Sequence, residues 1–152
     1  MIFIKSNLDN IPEEKKAFIN DFVQKPLIAR IATADGSGQP HVVPVWYGWD
    51  CTNLWISSFS NTRKINDLEE NLKIAVTIDV AGEKGETKAV VFEGVSTLVR
   101  EPRDFLAEQT LWICERYLGK EGAQEKDPQS WIKESHNLLI KLTPDAIFTW
   151  HW

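Results

Sequence analysis

The sequence predicts a mainly β domain: six strands, mostly antiparallel, closed into a small barrel with helices at its periphery. Three observations carry this reading. Strand-like stretches follow one another with turn chemistry between them, as in a meander. Few helices stand between the strands, and such connections favour antiparallel pairing. Gly94 falls inside a long apolar stretch, where a bulge or bend suits a barrel.

The first element is a helix. Pro12 opens it, and Glu13 and Glu14 follow where acidic side chains match the macrodipole. Phe18, Ile19 and Phe22 form its apolar stripe, and Pro26 marks its end. The period then changes. Leu27 to Thr33 is the first strand, Asp35-Gly36-Ser37-Gly38 a turn, and His41 to Trp49 the second strand. Asp50-Cys51-Thr52-Asn53 turns into LWISS, the third. A helix begins near Thr62, because Ile65, Leu68 and Leu72 recur at helical spacing. Lys73 to Val80 is a fourth strand rich in β-branched residues, and Lys88 to Arg100 a long fifth. A helix runs from Pro102 toward Gly119, with Phe105, Leu106, Trp112, Ile113 and Tyr117 on its apolar face. GKEGAQEKDPQ reads as a charged loop and SWIKES as a short helix. NLLIKLTPDAIFTWHW closes the chain as the sixth strand, with Pro144 a break or edge position. No repeat or low-complexity linker divides the chain, so residues 1–152 are expected to form one domain.

Bulk properties narrow the function. The net charge is −5 and the pI about 5.2, with no basic run, which argues against a nucleic-acid partner. No apolar stretch approaches the roughly 20 residues of a membrane helix. The opening MIFIKSNLDN lacks a signal-peptide h-region. Cys51 and Cys114 lie far apart without CxxC spacing and read as reduced thiols, so a cytoplasmic protein is expected. There is no GxSxG elbow and no GxxxxGK phosphate loop. His41, His136 and His151 have no metal-binding spacing, and no metal site is expected.

Two local oddities point to a ligand. In SSFSNTRKINDLEEN, Arg63 and Lys64 occupy the first turn of a helix, where the dipole is positive. No Glu or Gln lies three residues after Ser60, Asn61 or Thr62, so there is no capping box. An anion there would gain from free N–H donors and from both cations, with Ser57 and Ser58 ending the preceding strand close by. The alternative is an i,i+4 surface pair between Arg63 and Asp67, worth a few tenths of a kcal/mol. The second oddity is Pro44 in the middle of HVVPVWYGW. A proline there lacks an N–H and opens the ladder. A flat ring against that strand would meet Val, Pro, Trp and backbone polar groups, the usual lining of a cofactor pocket. The other reading is an ordinary edge strand.

The segment RIATADGSGQPHVVPVWYGWD through LWISSFSNTRKINDLEENLKIAVTID resembles the FMN-binding split β-barrel family, whose members include pyridoxamine 5′-phosphate oxidase and flavin/deazaflavin oxidoreductases. The resemblance implies a split barrel with Greek-key-like connections. It implies that Arg63 and Lys64 bind the flavin phosphate and that Ser57 and Ser58 line the phosphate and ribityl site. It lays Val42, Val43, Pro44, Val45 and Trp46, with Tyr47 at the end, along the isoalloxazine ring. It further implies a homodimer with FMN between subunits, and Trp112, Trp150 and Trp152 are the candidates for ring contacts from the partner chain. The oxidase has a basic residue and a lysine where this chain has Val42 and Tyr47, and its basic C-terminal motif has no equivalent in IFTWHW. The expected function is therefore an FMN-dependent, oxidase-like oxidoreductase of undefined small substrate, with Tyr47 or His41 as candidates to assist proton movement. The alternatives are a deazaflavin-dependent reductase and a flavin-binding protein without turnover. Haem-binding relatives exist, but no histidine here is placed as an axial ligand.

Overall fold

The computed structural model describes residues 6–152; the first five residues of the N-terminal reading lie outside them. Among the described residues there are nine strands and four α-helices. α1 (Glu13–Val23) precedes β1 (Ala29–Ala34), β2 (Pro40–Val45), β3 (Gly48–Trp49) and β4 (Leu54–Phe59). α2 (Arg63–Glu70) leads to β5 (Lys73–Ala81), β6 (Thr87–Val95) and β7 (Thr97–Val99). α3 (Arg103–Gly122), α4 (Lys126–Lys133), β8 (Asn137–Leu142) and β9 (Ala146–His151) complete the chain. Among them no helix is long and apolar enough to cross a membrane.

The strands form two antiparallel sheets, one ordered β2-β1-β5-β6-β9 and one β3-β4-β8-β7. The six expected strands become nine because three of them turn a corner and change sheet. The second divides at Trp46-Tyr47, the fifth at Ser96 and the last at Thr143-Pro144-Asp145. Strands that switch sheets through bends make the corners of such packings. Ser96 marks its corner by donating both its amide and its hydroxyl to the Leu72 carbonyl, at 2.7 and 2.8 Å. Gly94 is required beside it: a Cβ there would lie 2.9 Å from Leu142 Cδ1 and 3.2 Å from the Asp145 nitrogen. The charged loop after Gly119 is partly helical, because Pro128 is tolerated in the first turn of α4, where its missing N–H has no partner to lose.

The main core lies between the sheets, with Ile31, Val76, Ile78 and Phe92 from one and Leu54, Ile56, Ile140 and Leu142 from the other. α1 adds Ile19, Phe22 and Val23 to it. A second cluster of Trp55, Leu106, Ile113 and Leu139 holds α3 against the outer face of the smaller sheet. Strand alternation therefore divides β4: Leu54, Ile56 and Ser58 face the interior, while Trp55 and Ser57 face α3.

Candidate functional site

α2 begins at Arg63, with Thr62 in extended conformation before it and no side-chain cap on its first amides. The Thr62 hydroxyl instead donates to the Phe59 carbonyl at 2.9 Å and lies 3.3 Å from the Ser58 hydroxyl. No acidic residue occupies the first turn. Among the described residues neither Arg63 nor Lys64 forms an ion pair within 4.0 Å. Lys64 is half-buried, and that burial holds its ammonium below the ordinary lysine pKa.

The surface pair between Arg63 and Asp67 does not form. Asp67 is 4% exposed and accepts the Thr33 hydroxyl at 2.7 Å, so it faces β1 instead. The same flank of α2 holds the β1–β2 turn, where the Gly36 amide donates to Glu70. Within that turn the Asp35 carboxyl is held below the usual range by the Ser37 hydroxyl, then by the Gln39 and Ser37 amides, with a smaller contribution from the Arg63 charge.

Ser57 and Ser58 are separated by the pleat. Ser58 is buried and joins Thr62. Ser57 donates to Asn137 Oδ1 at 2.9 Å and lies 3.4 Å from Thr110 Oγ1, under α3. Only Ser58, of the two side chains, stands with the start of α2.

β2 is an edge strand paired only with β1, with Pro44 opposite Arg30. Its outer edge leaves alternate backbone groups of 40–45 unpaired by any described strand. Val42 and Pro44 are exposed, while Val43 and Val45 pack against the core. Trp46 turns the corner, stacked on Tyr117 at 4.7 Å and edge-on to Trp131 at 6.4 Å. Tyr47 has no group free for a ligand. Its side chain is fully buried, its hydroxyl donates to the Val23 and Lys25 carbonyls, its amide donates to the Tyr117 hydroxyl, and its carbonyl accepts Arg116. Burial also pushes its phenol far above the usual tyrosine pKa.

The tryptophans separate as well. Trp112 is engaged within its own chain, lying so close on Gly48 that a Cβ there would meet its ring at 2.3 Å. Trp150 sits on β9, the edge opposite β2, and Trp152 is 65% exposed at the chain end. Neither shares a strand edge with Val42–Trp46 in one chain.

Thr62, Thr33 and Tyr117 complete this neighbourhood and were not assigned to it from sequence. Thr62 had a signal, as a cap candidate directly before Arg63. Tyr117 had none, since 70 residues separate it from Tyr47, whose amide it accepts.

This two-sheet barrel, with an open proline-bearing edge strand and an uncapped cationic helix start, defines a split-barrel class. The model of the pyridoxamine 5′-phosphate oxidase family matches residues 15–151, and the chain belongs to that family. Similar solved structures include a conserved hypothetical protein of Mycobacterium tuberculosis, 22% identical with TM-score 0.76, covering 97% of this chain and 90% of that one. An F420 reductase is 19% identical with TM-score 0.65, covering 85% and 94%. A FAD-binding protein of Mesorhizobium loti is 18% identical with TM-score 0.61, covering 88% and 90%. Among curated proteins none matches.

Proposed function

We propose that this chain is an FMN-binding oxidoreductase, active as a homodimer on a small substrate. One observation carries the reading: Arg63 and Lys64 stand at an uncapped helix start and, among the described residues, form no ion pair within 4.0 Å, while Asp67, one turn on from Arg63, is engaged by Thr33. The donor set fits a flavin phosphate. Arg63 offers a planar fork, Lys64 a point charge, and the first amides of α2 and the Ser58–Thr62 hydroxyls lie beside them. The free edge of β2 supplies backbone groups and the apolar Val42 and Pro44 for a ring. Bound there, a flavin supplies hydride or electron transfer; the protein orients it and excludes water. The F420 reductase and the FAD-binding protein among the similar folds support a flavin-type ligand.

FMN is favoured over a deazaflavin with a polyanionic tail. The chain is net negative, and the nearby Arg30 is already paired with Asp79 at 2.9 Å. The homodimer rests on the outer face of the larger sheet. Val42 is 62% and Val95 54% exposed there, over a hollow of about 420 Å³ floored by Ala32, Ala34 and Ala75. Trp150 shares that face by register, so a second copy would bring it toward the first copy's β2.

Purified protein reconstituted with FMN is the test. A flavin absorbance spectrum that co-elutes with a dimer supports the reading. Protein that is colourless and fails to retain added FMN contradicts it.

A further inference from the structure

We propose that a second pocket, on the other flank of α2, binds the phosphate group of a small phosphorylated metabolite. The pocket has a volume of about 410 Å³ and lies between the turn before α2, the start of α3 and the loop before β8. Ser60, Arg100, Arg103, Ser135 and His136 line it together with the carboxylate of Glu101, and the Glu134 carboxylate accepts the Ser135 hydroxyl at 3.2 Å and the His136 amide at 3.4 Å.

Its cations are held in place by contacts that leave donors over. Arg103 gives two N–H groups to the carbonyls of Asn137 and Glu134, each at 2.8 Å, which fixes its guanidinium and keeps the remaining N–H groups for a ligand. Arg100 pairs with Glu69. The Ser60 hydroxyl lies 3.2 Å from His136 Nδ1, and the Ser60 amide donates to the His136 carbonyl at 2.8 Å. The Ser60 hydroxyl, two guanidiniums and an imidazole around one cavity offer donors to the three acceptor oxygens of a phosphate. The cavity exceeds what the bare ion needs, leaving room for the organic part of an ester.

This pocket is separate from the site at Arg63 and Lys64. Arg100 meets α2 through Glu69, whereas Asp67 and Glu70 bind the β1–β2 side. The inference is therefore independent of the flavin reading.

The test is an NMR titration of the His136 imidazole, assigned by its loss in His136→Ala, with inorganic phosphate and phenyl phosphate against sodium chloride at matched ionic strength. A saturable shift is expected with both phosphates and not with chloride, and phenyl phosphate should bind more tightly. Ser60→Ala with Arg100→Ala should weaken binding by about tenfold or more, the scale of one lost charge-assisted hydrogen bond. Arg63→Ala with Lys64→Ala should leave the response unchanged. The proposal is overturned by a shift that chloride reproduces, by none at all, or by one that survives the Ser60/Arg100 changes. Loss in the Arg63/Lys64 variant would assign the response to the flavin site instead. Equal affinity for the two phosphates would overturn the ester.

Discussion

The Thr33 hydroxyl donates to Asp67 across 34 residues of sequence, at 2.7 Å and out of contact with water. This contact ties β1 to α2 and keeps the acid of the helix away from Arg63. Thr33→Val leaves a buried carboxylate without its donor, and unfolding in urea should show a loss of about 1–3 kcal/mol. Thr33→Ser, which keeps the hydroxyl, should recover most of it.

Gly48 admits the Trp112 ring at a distance that excludes any side chain. Gly48→Ala should cost about 1–3 kcal/mol through overpacking, measured by the same unfolding experiment. Trp112→Leu in the same chain should return part of that loss, because the clash is with the indole.

Arg116 of α3 donates to the Tyr47, Gln24 and Lys25 carbonyls at 2.9, 3.0 and 3.3 Å, joining α3 to the end of α1 and to the β2–β3 corner. Arg116→Ala should destabilise by about 1–3 kcal/mol. Arg116→Lys should recover little, since a single ammonium cannot span the same carbonyls.

How much of this could be read from sequence depended on range. Periodicity located every long strand and the helix at Ile65 and Leu68, because both signals are local; Leu72, the third residue of that spacing, lies past the end of α2 and is exposed. It missed the three corners, since a strand that bends from one sheet to another keeps its apolar character through the bend, as VVPVWYGW does. Pro144 and Gly94 signalled two of them only as breaks. At the site, the cations at the head of α2 were legible because they violate a local preference. The diversion of Asp67 to Thr33 was not, because nothing near Asp67 in sequence names its partner. Ser57 was grouped with Ser58 by adjacency, although alternation turns neighbouring strand residues to opposite faces. The family resemblance placed Tyr47 at the end of the ring-facing strand, but its side chain is buried with its hydroxyl on the Val23 and Lys25 carbonyls, its amide on the Tyr117 hydroxyl and its carbonyl on Arg116.

Lys64 sets a pH dependence. Burial disfavours its charged form, so its folded pKa lies below the ordinary 10.5. Without ligand, the unfolded chain binds this proton more readily, so this group's contribution to stability rises with pH between the lowered value and 10.5. A bound phosphate favours the charged form. FMN affinity should therefore fall as pH climbs through the lowered pKa, and Lys64→Arg should hold its affinity to higher pH. Fluorescence titration of FMN across alkaline pH checks both.

The proposed phosphate anchor at Arg63 and Lys64 is the centre of the account, and the comparison of FMN with riboflavin tests it most directly. The two ligands differ only in the phosphate. Equilibrium titration should show the wild-type chain binding FMN far more tightly, since charge-assisted contacts contribute roughly 1.5–3 kcal/mol each. Arg63→Ala with Lys64→Ala should abolish that preference while leaving riboflavin binding nearly unchanged. Equal affinities in the wild type, or a preference for FMN that survives the double substitution, would contradict it.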